Sequence, residues 1–308
     1  MSRLITSVGV VLLVAILLAG CGGSQLDRAQ TSSLATSFPM TVTDHAGRSV
    51  IIQKAPETIV SLAPSNTEIL YALGLGNKLV AVDDYSDYPA EAATKQKVGY
   101  SKPNIETLVA LSPDIIFAAT IQAKLVVPEL EKRGLTVFVL QPGSLEAVLD
   151  GILTVGRIMD KSKEADAVTA QLRKRVNEIT AKTASARGKP RVFFELTGTL
   201  STAGPGTFVD DLITKAGGTN IAADAKTDWP QLGQEALIAR DPEVIILADH
   251  GFGETPDKVK ARPGWSGISA VKTGRIIGFD PNLTNRPGPR VVDGLELMAR
   301  AIHPELFP

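Results

Sequence analysis

Residues 106–117 (Glu-Thr-Leu-Val-Ala-Leu-Ser-Pro-Asp-Ile-Ile-Phe) align without gaps onto residues 235–246 (Glu-Ala-Leu-Ile-Ala-Arg-Asp-Pro-Glu-Val-Ile-Ile). The Glu, the first Leu, the Ala, the Pro and one Ile are identical, and three further positions exchange Val for Ile or Asp for Glu. The unit reads as a short helix that buries Leu108 or Leu237, a proline that stops it, and an apolar strand entering a sheet. A chain that carries this unit once in each half is constrained to two lobes of the same construction.

The pattern around each copy supports that division. Met40–Asp44 and Ser49–Gln53 alternate around a turn and predict a hairpin. Thr58–Leu62 predicts a strand, and Ser65-Asn66-Thr67-Glu68 has capping-box spacing, placing Ser65 at the N-cap of a helix that runs to Leu73 and stops at Gly74. Strands at Leu79–Val82, Asp114–Ala118 and Leu135–Leu140, with helices at Ile105–Leu111 and Val126–Arg133, complete an α/β lobe over residues 40–143 with a mostly parallel sheet. Residues 144–188 switch to helix, interrupted near Met159-Asp160. The stretch Ser162–Ala184 is long enough, at about 35 Å, to act as a rigid rod joining two lobes around a cleft. Alternation resumes over residues 189–308, with strands Arg191–Leu196, Val244–Leu247 and Ile276–Phe279 and helices Phe208–Ala216, Glu235–Ala239 and Pro289–His303.

The N-terminus is a targeting segment, not a fold element. Arg3, an apolar run from Val8 to Leu18, and Ala19-Gly20 form a leader over residues 1–20, too short an apolar run to span a bilayer. Leu18-Ala19-Gly20-Cys21 resembles the bacterial lipobox, whose cysteine becomes the lipidated first residue of the mature protein. Cys21 is the only cysteine in the chain, so it has no internal disulfide partner. Lipidation there predicts stable anchoring to the outer face of the cytoplasmic membrane, with residues 21–39 as a flexible tether.

Composition excludes several classes. A net charge of −1, with no basic cluster beyond Arg173-Lys174-Arg175, argues against nucleic acid. The triplet reads as a solvated helix face. The three histidines, His45, His250 and His303, do not cluster with other ligands, which argues against a free-metal receptor. There is no Gly-x-Ser-x-Gly elbow, dinucleotide fingerprint or metal-hydrolase motif, and Asp249-His250 lacks a nucleophile, so no catalytic residues are assigned. Gly204-Pro205-Gly206-Thr207 precedes a helix and reads as a plain turn in preference to an anion site. Glu106 and Glu235 stand at equivalent helix starts. Each either complements its helix dipole or, as a matched pair, fixes the orientation of a pseudo-twofold partner.

The segments Ile59–Glu68, Tyr85-Ser86-Asp87-Tyr88-Pro89, Asn104–Asp114, Trp229-Pro230-Gln231, Glu235–Pro242 and Arg286-Pro287-Gly288-Pro289-Arg290 together resemble the cobalamin and ferric-siderophore solute-binding family of ABC importers, most closely its cobalamin-binding members. The resemblance covers nearly all of residues 40–308. It implies a monomeric receptor that delivers a cobalt corrinoid or ferric chelate, or else haem, to membrane subunits driven by a cytoplasmic ATPase; the rival readings are a free-metal-ion receptor and, more remotely, a lipid-anchored two-lobed enzyme. It implies docking roles for Glu106 and Glu235 and ligand contacts at Tyr85, Tyr100, Trp229 and Arg286. Tyr85 and Trp229 have a plain packing alternative, and Arg286 one as the partner of a carboxylate such as Asp280. Two aromatic positions of the cobalamin-binding members correspond here to Ala119 and Leu196, which leaves the chelate open.

Overall fold

The computed structural model describes residues 36–307, so Cys21 and the leader lie outside the described residues. Five parallel strands form the first sheet in the order Gln96–Lys97, Leu79–Val82, Ile59–Ser61, Ile115–Ala118, Val137–Val139. Four parallel strands form the second, in the order Ile276–Gly278, Val244–Leu247, Arg191–Glu195, Thr219–Asn220. The hairpin Met40–Thr43 with Ser49–Ile52 is a separate two-stranded sheet.

The repeat sets both sheets. Its strands, Ile115–Ala118 and Val244–Leu247, are wholly buried, and each lies beside the first strand of its own sheet, Ile59–Ser61 or Arg191–Glu195. The repeated helices, Ile105–Leu111 and Gln234–Arg240, both bury their leucine (Leu108, Leu237). Both also end in a non-glycine residue of left-handed conformation, Ser112 and Asp241 at φ 43°. A left-handed residue is a standard way to end a helix, and two matched non-glycine examples at about 1 kcal/mol or more each mark the units as equivalent.

Between the lobes, Leu145–Ile158 turns at Asp160 (φ 54°) into the long helix Ser162–Ala184. Gly156 makes the tight approach possible, because a Cβ there would stand 2.4 Å from the Cβ of Ala165. The long helix buries Ala165, Thr169, Leu172, Val176, Ile179 and Thr183, a stripe at alternating three- and four-residue spacing, and is otherwise open to solvent. That stripe packs on Leu145–Ile158 and on the last long helix, Val291–Ile302. The core is continuous from Ile69 and Leu70, through Leu149 and Ile152, to Leu212, Leu295 and Met298, so the helical layer joins the lobes. At about 1.5–3 kcal/mol per fully buried aliphatic side chain, this layer makes separation of the lobes costly.

Two local readings change. The first helix runs Pro64–Ala72 with Ala63 as N-cap and no side-chain cap, so Ser65 and Glu68 do not form a capping box. Glu68 is buried and directed to arginines far along the chain. The basic triplet is not simply solvated: Arg173 pairs with Glu146, and Arg175 binds Asp293 (2.7 Å) and Glu296 (3.1 Å), tying the long helix to its neighbours.

Candidate functional site

In a parallel sheet, ligands collect beyond the carboxyl ends of the strands, where the strand order reverses. Here the reversals fall between Ile59–Ser61 and Ile115–Ala118, and between Arg191–Glu195 and Val244–Leu247. The loops leaving those strands face one another and enclose two adjoining cavities. One, of about 340 Å³, is lined by Ala63, Ser65, Tyr85, Tyr100 and Ala119 from the first lobe and by Phe252, Asn282, Asn285 and Arg286 from the second. The other, of about 360 Å³, is lined by Thr120, Leu196, Phe208 and Trp229 among others. Gln141, Asn285 and Pro287 border both, which makes them one inter-lobe cleft.

Tyr85 is presented by a turn with a buried polar root. Asp83 accepts from the Tyr85 amide at 2.8 Å and from the Ser86 hydroxyl, and Ser86 continues through Thr67 to Ser61, each step 2.8 Å. Burial pushes the Asp83 carboxyl above its ordinary range, against the pull of those hydrogen bonds and of the Lys97 and Arg286 charges. Tyr85 is 61% exposed, and its ring meets Tyr100 edge-on at 5.4 Å. Tyr100 in turn hangs on Gln122, which is fully buried. Its Nε2 donates to the carbonyls of Leu62 (3.1 Å) and Tyr100 (3.0 Å), and its Oε1 accepts from the Ala119 amide (2.7 Å). One amide side chain therefore fixes three of the loops that form the first lobe's wall. Thr120 holds the Gln141 Oε1 at 3.0 and 2.9 Å.

On the second lobe, Trp229 rides an arm stitched to residues 201–204, where Thr202 and Gly204 donate to the carbonyls of Pro230 (2.9 Å) and Asp228 (2.8 Å). Trp229 is 59% exposed. Phe252, which the sequence reading did not single out, is 83% exposed at the end of the loop that follows Val244–Leu247. The signal available was position alone: an aromatic in the loop after a repeated strand. At the Gly204–Thr207 turn, Thr207 caps its own helix by accepting from Asp210, and the Gly206 amide donates to the Asp210 carboxylate, so those donors are taken.

Arg286 lines the cleft, but its guanidinium is engaged. It donates to Asp87 at 2.7 Å, to the Tyr85 carbonyl at 3.2 Å and to Glu68 at 3.4 Å. The carboxylate partners are Asp87 and Glu68, not Asp280. Arg290 completes the group, holding Glu68 at 2.9 and 2.6 Å and stacking over the Tyr88 ring at 3.9 Å. Two carboxylates from the first lobe thus balance two arginines from the second. Burial works against ionisation of Asp87, but the hydrogen bond and charge of Arg286, with the Arg290 charge, hold its carboxyl below the usual range. A larger cavity, about 760 Å³, lies on the Tyr71, Tyr88 and Arg290 side of this group and contains none of the cleft aromatics Tyr85, Tyr100, Trp229 or Phe252.

Glu106 and Glu235 are exposed in the first turns of the repeated helices, Ile105–Leu111 and Gln234–Arg240. Neither borders the cleft cavities.

A family profile described as periplasmic binding protein matches residues 59–283. The chain belongs to this family. An uncharacterized ABC transporter substrate-binding lipoprotein of Bacillus subtilis is 35% identical over 96% of both chains. A cobalamin-binding protein of Halobacterium salinarum is 34% identical over 87% of this chain and 75% of its own length. A solved vitamin B12-binding protein of Vibrio cholerae superposes with a TM-score of 0.72 at 29% identity, covering 82% of this chain and 99% of that one. Other solved structures of the same fold are titled as possible iron-binding or haem-binding proteins. This periplasmic binding protein is the solute-capturing component of an ABC importer, with a membrane permease as its partner and a small molecule as its cargo. Among the described residues no helix is long and apolar enough to cross a membrane.

Proposed function

We propose that the cleft captures a corrinoid and that the protein delivers it to the importer without chemical change. The carrying observation is the charge of the cleft. Among the described residues, Arg286 and Asp228 are the only charged side chains bordering either cavity, and Arg286 is neutralised by its carboxylate partners. What remains, besides the exposed Asp228 carboxylate, is aromatic surface and amides: Tyr85, Tyr100, Trp229 and Phe252, with Gln141, Asn282 and Asn285. A corrinoid presents a broad apolar ring edged by uncharged carboxamides, which such walls match. Haem propionates and ferric catecholates bring negative charges that would be desolvated without a free cation.

Titration of a soluble form that begins after Cys21 with cyanocobalamin, haem and a ferric catecholate tests this, read by the visible spectrum and tryptophan fluorescence. Micromolar or tighter binding of cyanocobalamin, with the two anionic chelates weaker, is expected. Preference for haem or the catecholate overturns the assignment. A neutral ferric hydroxamate satisfies the same charge condition and belongs in the titration as the second reading.

The anchoring and docking assignments complete the proposal. Cys21 carries the lipid that holds the protein at the outer face of the membrane, and it acts as a monomer. Labelled fatty acid incorporated by the full chain should be absent from Cys21→Ser, and persistent label would overturn the anchor. Glu106 and Glu235 are the contacts to the permease.

A further inference from the structure

We infer that Asp87 sets the charge selectivity of the cleft by occupying Arg286. The proposal rests on the inter-lobe cleft being the ligand site. Among the described residues Arg286 is the one cation bordering the cleft; its side chain is 12% exposed, and its shortest hydrogen bond is to Asp87 at 2.7 Å. Glu68 does not do this work alone. It lies 3.4 Å from Arg286 and gives both oxygens to Arg290, at 2.9 and 2.6 Å. Removing the Asp87 charge would leave two arginines sharing one carboxylate, with the surplus positive charge at the cleft wall beside Tyr85. A surplus charge at low solvent exposure attracts a nearby anion by an amount worth about tenfold in affinity or more. Asp87 is itself 60% exposed, so its replacement disturbs little packing.

The Asp87–Arg286 bond also joins the lobes. Asp87 sits on the same turn as Tyr85, and Arg286 donates to the Tyr85 carbonyl at 3.2 Å, so the pair fixes where the cation stands relative to the aromatic wall. The selectivity device is therefore built from a residue that borders the cleft and a carboxylate outside it, which neutralises that residue.

The test compares two ligands that differ by one charge on one scaffold: cyanocobalamin and its monocarboxylic acid, in which one peripheral amide is hydrolysed. Wild type, Asp87→Asn, and the double variant Asp87→Asn with Arg286→Gln are titrated with both. In Asp87→Asn the ratio of acid to amide affinity should rise about tenfold over wild type, and the double variant should return it to the wild-type value. An unchanged ratio in Asp87→Asn, or a raised ratio that survives loss of the Arg286 charge, overturns the proposal. Failure of wild type to bind cyanocobalamin overturns the corrinoid reading instead. The role of Asp87 is then decided by the same ratio measured with haem and its dimethyl ester.

Discussion

Arg290 holds both carboxylate oxygens of Glu68, at 2.9 and 2.6 Å, across 222 residues of sequence. Glu68 lies on the first helix of the first lobe, and Arg290 immediately precedes the last long helix of the second. With the Asp87–Arg286 bond it ties the lobes by charge, beside the apolar packing of the helical layer.

That tie gives a stability prediction. Truncating one partner of a buried ion pair costs far more than the pair contributes, because the other charge is left unpaired. Glu68→Ala strands the Arg290 guanidinium, which retains limited solvent access, while Arg286 keeps Asp87 at 2.7 Å, so a loss of about 3 kcal/mol is expected in denaturant unfolding. A loss under about 1 kcal/mol would show that the pair is solvated and unimportant.

The cleft aromatics should behave in the opposite way. Tyr85, Trp229 and Phe252 are all more than half exposed, so alanine at each should leave the thermal midpoint nearly unchanged. Each should weaken corrinoid binding by about tenfold, since a ring loses both contact area and stacking. Unaltered affinity in Phe252→Ala would remove the second lobe's loop from the site.

The contrast between Glu68 and these aromatics shows what the sequence made legible. The repeated unit placed two strands and two glutamates correctly, because its helix, proline and strand depend on residues within twelve positions of one another. Ser65 and Glu68 have the spacing of a capping box, and nothing local distinguishes that from a glutamate awaiting an arginine in the other lobe. Gln122 escaped notice for a similar reason. Its three hydrogen bonds join loops from separate strands, so its role exists only once the sheet is assembled. The short helices Pro256–Lys260 and Ser269–Thr273 span about one turn each, too little to show a helical period.

Asp114 predicts part of the acid response. Burial opposes its ionisation, but the amides of Glu57 and Thr58, each at 2.9 Å, and Lys54 outweigh this and hold the carboxyl below its usual range. A depressed folded value means that the stabilisation is full above the unfolded aspartate value of about 3.9 and is lost as pH falls through the folded value. Asp114→Asn should therefore destabilise the protein at neutral pH and show a shallower loss of stability below about pH 4. Parallel acid limbs for variant and wild type would contradict this.

Glu106 and Glu235 should serve docking and not capture. They occupy the same place in the two copies of the repeat, both are exposed, and neither borders the cleft. A matched pair of surface carboxylates steers and orients a partner of pseudo-twofold symmetry, and such contacts weaken as salt shortens the Debye length below ~10 Å at 0.1 M. Ligand affinity, carried by apolar and amide contacts, should be nearly independent of salt. Replacing both glutamates with alanine should leave cyanocobalamin affinity in solution unchanged, while transport into vesicles reconstituted with the cognate importer falls at least tenfold. Each single replacement should give an intermediate loss, because either lobe alone still orients one half of the complex. Transport that survives the double replacement would place the permease contact elsewhere on the lobes, and lost ligand affinity would show that these helices shape the cleft instead.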